Sequence, residues 1–161
     1  MPLTEGQITD LWEAQIGAEV RSLYFADLAN TYSTRKQWIT GISFFLSSGA
    51  AATVIAKMNP AVPVVLSLLV ATATAYSIAV GLDSKIRTMA KLQSAWSQIA
   101  NDYKKLWNHT YAEEAEADLL DLQRREAEFS GIAATDAPAD DKRMSRWTDQ
   151  VFKQHRLVEG A

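Results

Sequence analysis

The 161-residue chain contains no cysteine. That excludes disulfides, thiolate-ligated zinc and thiol nucleophiles, and leaves the compartment open. Histidine occurs only as His109 and His155, and His109 alone has a carboxylate, Glu113, one helical turn away. One imidazole beside one Glu on a Glu-rich segment is an ordinary solvated pair, so no metal site is expected. There is also no recognisable nucleophile with its base, ligand cluster or phosphate-binding loop. The chain reads as a non-enzyme without a cofactor. Its net charge of −3 and pI of 5.4 give no sign of nucleic acid as a partner.

Charge is absent from two long stretches. Gln37 to Ala56 is 20 residues without Asp, Glu, Lys or Arg, and Met58 to Leu82 is 25. At about 1.5 Å per helical residue, either can cross a hydrocarbon core about 30 Å thick. Proline is scarce, and two of the four prolines lie between these runs, in "AKMNPAVPVV" with the lone Lys57. Asn59-Pro60 suits a turn, and Pro63 suits the first turn of a helix. A transmembrane hairpin over 37–82 follows, with its turn at 57–63 and its second helix starting near Pro63. The alternative is a buried soluble hairpin, but uncharged runs this long are rare in soluble helices. The mean hydropathy of −0.11 conceals the two runs by averaging them with polar helices.

The segment "MPLTEGQITDLWEAQ" has no basic stretch followed by an apolar one, so it does not read as a cleavable signal. Arg35 and Lys36 precede the first run, and Lys85, Arg87 and Lys91 follow the second, against Lys57 alone at the turn. The positive-inside rule then places both termini in the cytoplasm, with Trp38 as an interfacial anchor. "NHT" at 108–110 fits an N-glycosylation sequon but lies on the cytoplasmic side of this topology.

Residues 1–36 read as a lead-in helix. Ile8, Leu11, Trp12, Ile16, Val20 and Leu23 recur at spacings of three and four, and no proline interrupts Thr9 to Ala56, which predicts one long helix entering the bilayer. Residues 83–130 read as a cytoplasmic stalk. Ile86, Met89, Leu92, Trp96, Ile99, Tyr103 and Leu106 form a helical seam, so the second hairpin helix is expected to continue into it unbroken. A turn near Pro60 makes antiparallel partners sum to about 120, setting Tyr24 beside Trp96 and Trp12 beside Asn108. "NHTY" at 108–111 predicts a break, and the segment after it a further helix with Leu119, Leu122 and Phe129 on or near one side. "GIAATDAPADD", 131–141, reads as a flexible linker. The tail, 142–161, reads as a basic amphipathic helix with Met144, Trp147, Val151 and Phe152 on one face, suited to an anionic membrane, the stalk or a partner protein.

Within the apolar runs, Ser67, Thr74, Ser77 and Gly81 share one helical face, and Thr40, Ser43 and Ser47 share another. Small and hydroxyl residues let helices approach closely. They either only pack the hairpin and its oligomer or, once several copies surround an axis, line an aqueous path. With no ionisable residue in either run, there is no proton relay, voltage sensor or substrate counter-ion.

The lead-in "AEVRSLYFADLANTYSTRKQW", the short-turn hairpin and the seam "AKLQSAWSQIANDYKKLW" give residues 8–130 a layout that resembles the SLATT family of bacterial two-transmembrane effectors. The resemblance is one of architecture and carries over no functional residue. It implies a membrane-perturbing or pore-forming effector in the inner membrane, multi-pass, triggered by a separate cytoplasmic sensor. The expectation is thus an all-α integral membrane helical hairpin, assembled with lipids into a homo-oligomer of four or more copies, acting as a channel or pore. Its stalk seam, Trp96, Ile99, Tyr103 and Leu106, would drive the Ser67–Thr74–Ser77 stripe through one continuous helix. The alternative is a non-conducting, membrane-anchored scaffold that recruits a cytoplasmic partner.

Overall fold

A computed structural model describes residues 1–47 and 61–159, with side chains except at 46, 47 and 157–159. The described residues are all-α: α1 (Glu5–Ser47), α2 (Ala61–Ala79), α3 (Leu82–Trp107), α4 (Ala115–Asp136) and α5 (Asp141–Glu159). They form two compact units, one of Met1–Leu28 with Thr88–Ala161 and one of Ala29–Arg87.

The first unit is a helical bundle. Thr4 and Gln7 open α1 with a reciprocal cap: the Thr4 N–H donates to Gln7 Oε1 at 2.9 Å, and the Gln7 N–H donates to Thr4 Oγ1 at 3.4 Å. From there the three-and-four spacing buries Leu11, Ile16, Val20, Tyr24, Phe25 and Leu28. The α3 seam faces this stripe, with Trp96, Ile99 and Tyr103 all 0% exposed and Leu106 5%. The register agrees with the expected pairing at Trp12 and is offset by about five residues at Ser22. Trp12 meets Trp107 with ring centroids 5.6 Å apart, and Ser22 Oγ donates to the Gln93 carbonyl at 3.4 Å.

The helix ends after Trp107, within the expected break, and a turn holds the chain until Ala115. The Leu3 N–H donates to the Thr110 carbonyl at 2.9 Å, so the extended residues ahead of α1 brace that turn. α4 buries Leu119 and Leu122, with Phe129 half-buried. It runs to Asp136, so the expected linker over 131–141 begins as helix. Pro138 sets the end, because it pushes Ala137 into extended backbone (φ −98°, ψ 143°). Asp140 caps α5, its Oδ1 accepting from the Arg143 N–H at 3.0 Å. The amphipathic tail then folds back onto its own chain: Val151, 1% exposed, packs with Ile16 and Val20, flanked by Trp12, Leu23, Met144 and Trp147.

The second unit contains the described parts of the two uncharged runs. α2 starts at Ala61, placing Pro63 in its first turn, where a missing N–H costs nothing. The remainder of the expected turn, 57–60, lies outside the described residues, as does the end of the first apolar run. The expected unbroken helix from this segment into the seam is not found. α2 stops at Ala79, Gly81 takes the left-handed conformation at φ +62°, and α3 begins at Leu82. The Gly81 N–H donates to the Ile78 carbonyl at 3.0 Å, and the Gly81 carbonyl accepts from Lys85 N–H at 3.0 Å, so one residue ends one helix and opens the next.

Candidate functional site

Two features are candidates, one in each unit. In the second unit, α2 is the one described helix long and apolar enough to cross a membrane, and none of its residues is buried. Val64, Val65, Leu68, Leu69 and Ile78 are exposed on it, and Trp38, Ile42, Phe44 and Phe45 on the C-terminal part of α1. Among the hydroxyls of the expected stripe, Ser67 and Thr74 are exposed and Ser77 is half-buried. Ser67 Oγ donates to the Pro63 carbonyl at 2.8 Å, and Thr72, which the stripe did not include, bonds back to Leu68 in the same way at 2.7 Å. Such back-bonds satisfy a hydroxyl inside its own helix, whether it faces lipid, water or another helix. Gly81 leaves the stripe altogether and forms the helix break. On α1, Thr40 is exposed and Ser43 half-exposed, while the Ser47 side chain lies outside the described residues.

The apolar segment is bordered by charge. Lys36 Nζ reaches Asp83 Oδ1 at 2.5 Å, and this hydrogen bond holds the Asp83 carboxyl below its usual range. Lys85 Nζ lies 5.9 Å from the Tyr32 ring centre.

In the first unit, the seam residues Trp96, Ile99, Tyr103 and Leu106 are closed against elements of the same chain. The Arg21 guanidinium stacks over Trp96, 4.6 Å from its ring centre, and its Nη1 reaches Glu126 Oε1 at 2.5 Å. Tyr103 Oη donates to the other carboxylate oxygen of Glu126 at 2.8 Å. Burial first, and this carboxylate second, push the Tyr103 phenol well above its ordinary value. Trp96 Nε1 is buried with no hydrogen-bond partner among the described residues. Beside this cluster, Asp102 pairs with Arg125 and Lys105, each at 3.0 Å; burial opposes its ionisation, and the two cations outweigh that to keep its carboxyl low.

α5 is latched by two acidic residues of α1. Asp27 Oδ2 accepts from Arg146 Nη2 at 2.7 Å and from Trp147 Nε1 at 3.3 Å, with Arg143 Nη1 at 3.5 Å. Glu19 Oε2 lies 2.8 Å from His155 Nε2, whose ring packs edge-on against Trp12 with centroids 5.0 Å apart. Arg21, Glu126, Asp27 and Glu19 were not singled out from the sequence. Among the chain's other charged residues, only their positions three or four residues from buried apolar ones set them apart. Among the described residues, no group of three or more His, Cys, Asp or Glu could hold a metal ion. Compared with known protein families, curated proteins and solved structures, the chain finds no match.

Proposed function

We propose that the protein is an integral membrane protein whose apolar hairpin assembles with copies of itself into a gated channel. The observation that carries this reading is α2, 19 residues of spanning length and composition with none buried. Its exposed Val and Leu side chains have no folded partner in the described chain, and apolar surface of this extent is ordinarily covered by lipid or another subunit. The hydroxyls of Ser67, Thr74 and Ser77 supply the polar positions an aqueous path needs. Two spans per copy cannot enclose water, so the channel takes four or more copies.

The cytoplasmic placement of both termini rests on the distribution of Lys and Arg, and the inner-membrane location on the SLATT resemblance. Release by a separate sensor rests on the SLATT resemblance. The trigger acts on the Arg21–Glu126–Tyr103 cluster, which packs within one chain, and its effect runs along α3 to the Gly81 turn. A second reading, the non-conducting scaffold, is favoured by that same intrachain seam, because a bundle closed within one chain leaves its outer surface to a partner.

Ion flux through proteoliposomes separates the two readings. Glu126→Ala, which frees Arg21 and Tyr103, is expected to conduct, and Thr74→Leu in that background is expected to block flux with insertion intact. Absence of flux from the Glu126→Ala protein sinks the channel and leaves the scaffold.

A further inference from the structure

We infer that the unit of residues 29–87 carries a site for one anionic phospholipid, with the headgroup phosphate on Arg35 and an acyl chain in the groove beside Trp38. The inference rests on the membrane reading above.

The groove has a volume of about 780 Å³ and is lined by Gln37, Trp38, Gly41, Ile42, Phe45 and Leu66. A side chain at Gly41 would meet nothing within 4 Å, so the glycine leaves open space along α1. The lining is apolar except at Gln37, so the groove has one polar end. Arg35, Trp38, Ile42 and Phe45 follow one another at spacings of three, four and three, which puts them on one face of α1, with the cation about a turn before Trp38.

Arg35 is exposed and makes no ion pair or hydrogen bond among the described residues. Lys36 is differently placed, because Asp83 holds it. The described charges of this unit are Arg35, Lys36, Lys85 and Arg87 against Asp83 alone, a balance complementary to a phosphodiester. A guanidinium suits that group, since its planar fork can donate two hydrogen bonds to phosphate oxygens.

Charge selects an anionic lipid over a helix from a second copy. A second copy presents the same excess of Arg35, Lys36, Lys85 and Arg87 over Asp83 and would set cation against cation at this end of the groove, whereas a phosphodiester neutralises it. Trp38, 68% exposed, stands where an indole meets the headgroup region.

The full chain is reconstituted in phosphatidylcholine vesicles containing a small fixed fraction of acyl-brominated lipid, either phosphatidylglycerol or phosphatidylcholine, and tryptophan quenching is compared. Brominated phosphatidylglycerol is expected to occupy the site about fivefold more readily. Arg35→Gln should bring the two lipids to equality, Arg35→Lys should retain part of the preference, and Trp38→Phe should remove the selective quenching. Equal quenching of the wild type by both lipids, a preference that survives Arg35→Gln, or a Trp38 shielded from both by a second copy would each overturn the site. Flotation with the vesicles is scored first: a chain that does not float overturns the membrane reading, whereas one that floats without selectivity overturns only the lipid site.

Discussion

Replacing Gly81 with Ala tests the break between α2 and α3. At φ +62° an L-residue is strained, and the nearest atom to an added Cβ is Ser84 Cβ at 3.9 Å, so the cost is conformational rather than steric. The left-handed conformation costs a non-glycine residue about 1–2 kcal/mol. Ala also exceeds Gly in helix propensity by about 1 kcal/mol, which favours running the two helices together. The substitution therefore shifts the balance toward an unbroken helix by about 2–3 kcal/mol, or about 30- to 140-fold.

Because the chain has no native cysteine, spin labels can be placed cleanly at Ala71 and Ser84, both exposed. A straight helix separates these positions by about 20 Å. The wild type should give a distance distribution displaced from that value, and Gly81→Ala should move it there. If the wild type already shows the straight-helix distance, or if Gly81→Ala changes nothing, the break is not set by this glycine.

Tyr103 should make stability fall in alkali. Its pKa is raised in the folded state, so the native chain keeps a proton that the unfolded chain releases; stability is full below about pH 10 and is lost as pH rises beyond it. Denaturant midpoints at about pH 8 and pH 11 should differ, and Tyr103→Phe should remove Tyr103's share of the difference; an unchanged pH dependence in the variant counts against the assignment. For the α5 latch, Val151→Ala removes a side chain 1% exposed and should weaken docking by about 2 kcal/mol. Asp27→Ala removes the acceptor of Arg146 and Trp147 and, discounted for partial exposure, should cost about 1 kcal/mol. In both variants hydrogen exchange should speed up in α5 first, and uniform acceleration across the bundle would mean that α5 is no separate latch.

Much of the bundle was legible because apolar periodicity survives in the primary structure. Leu11, Ile16 and Val20 on α1, and Trp96, Ile99 and Tyr103 on α3, are read directly from spacings of three and four. The pairing sum near 120 placed Trp12 one residue from its actual partner, Trp107. "NHTY" signalled the break after α3 through four poor helix formers.

Other features leave no such trace. Gly81 ends a row of small residues and looks like a packing position, because a single glycine does not announce the sign of its φ. Ala133 and Ala134 are strong helix formers inside a stretch whose Gly, Asp and Pro suggest a linker, and only Pro138 ends the helix. The tail's basic amphipathic face suits lipid, stalk or partner, and what decides among them is the placement of Asp27 and Glu19, distant in sequence. Whether a seam closes within a chain depends on three-dimensional neighbours such as Glu126, so the periodicity of α3 alone could not settle it.

The claim that the hairpin assembles into a channel is tested most directly by native mass spectrometry of the detergent-extracted protein, which a closed gate cannot confound. The account predicts one discrete assembly of four or more copies. A monomer or dimer brings at most four spans together, too few for a wide water path, and would contradict it.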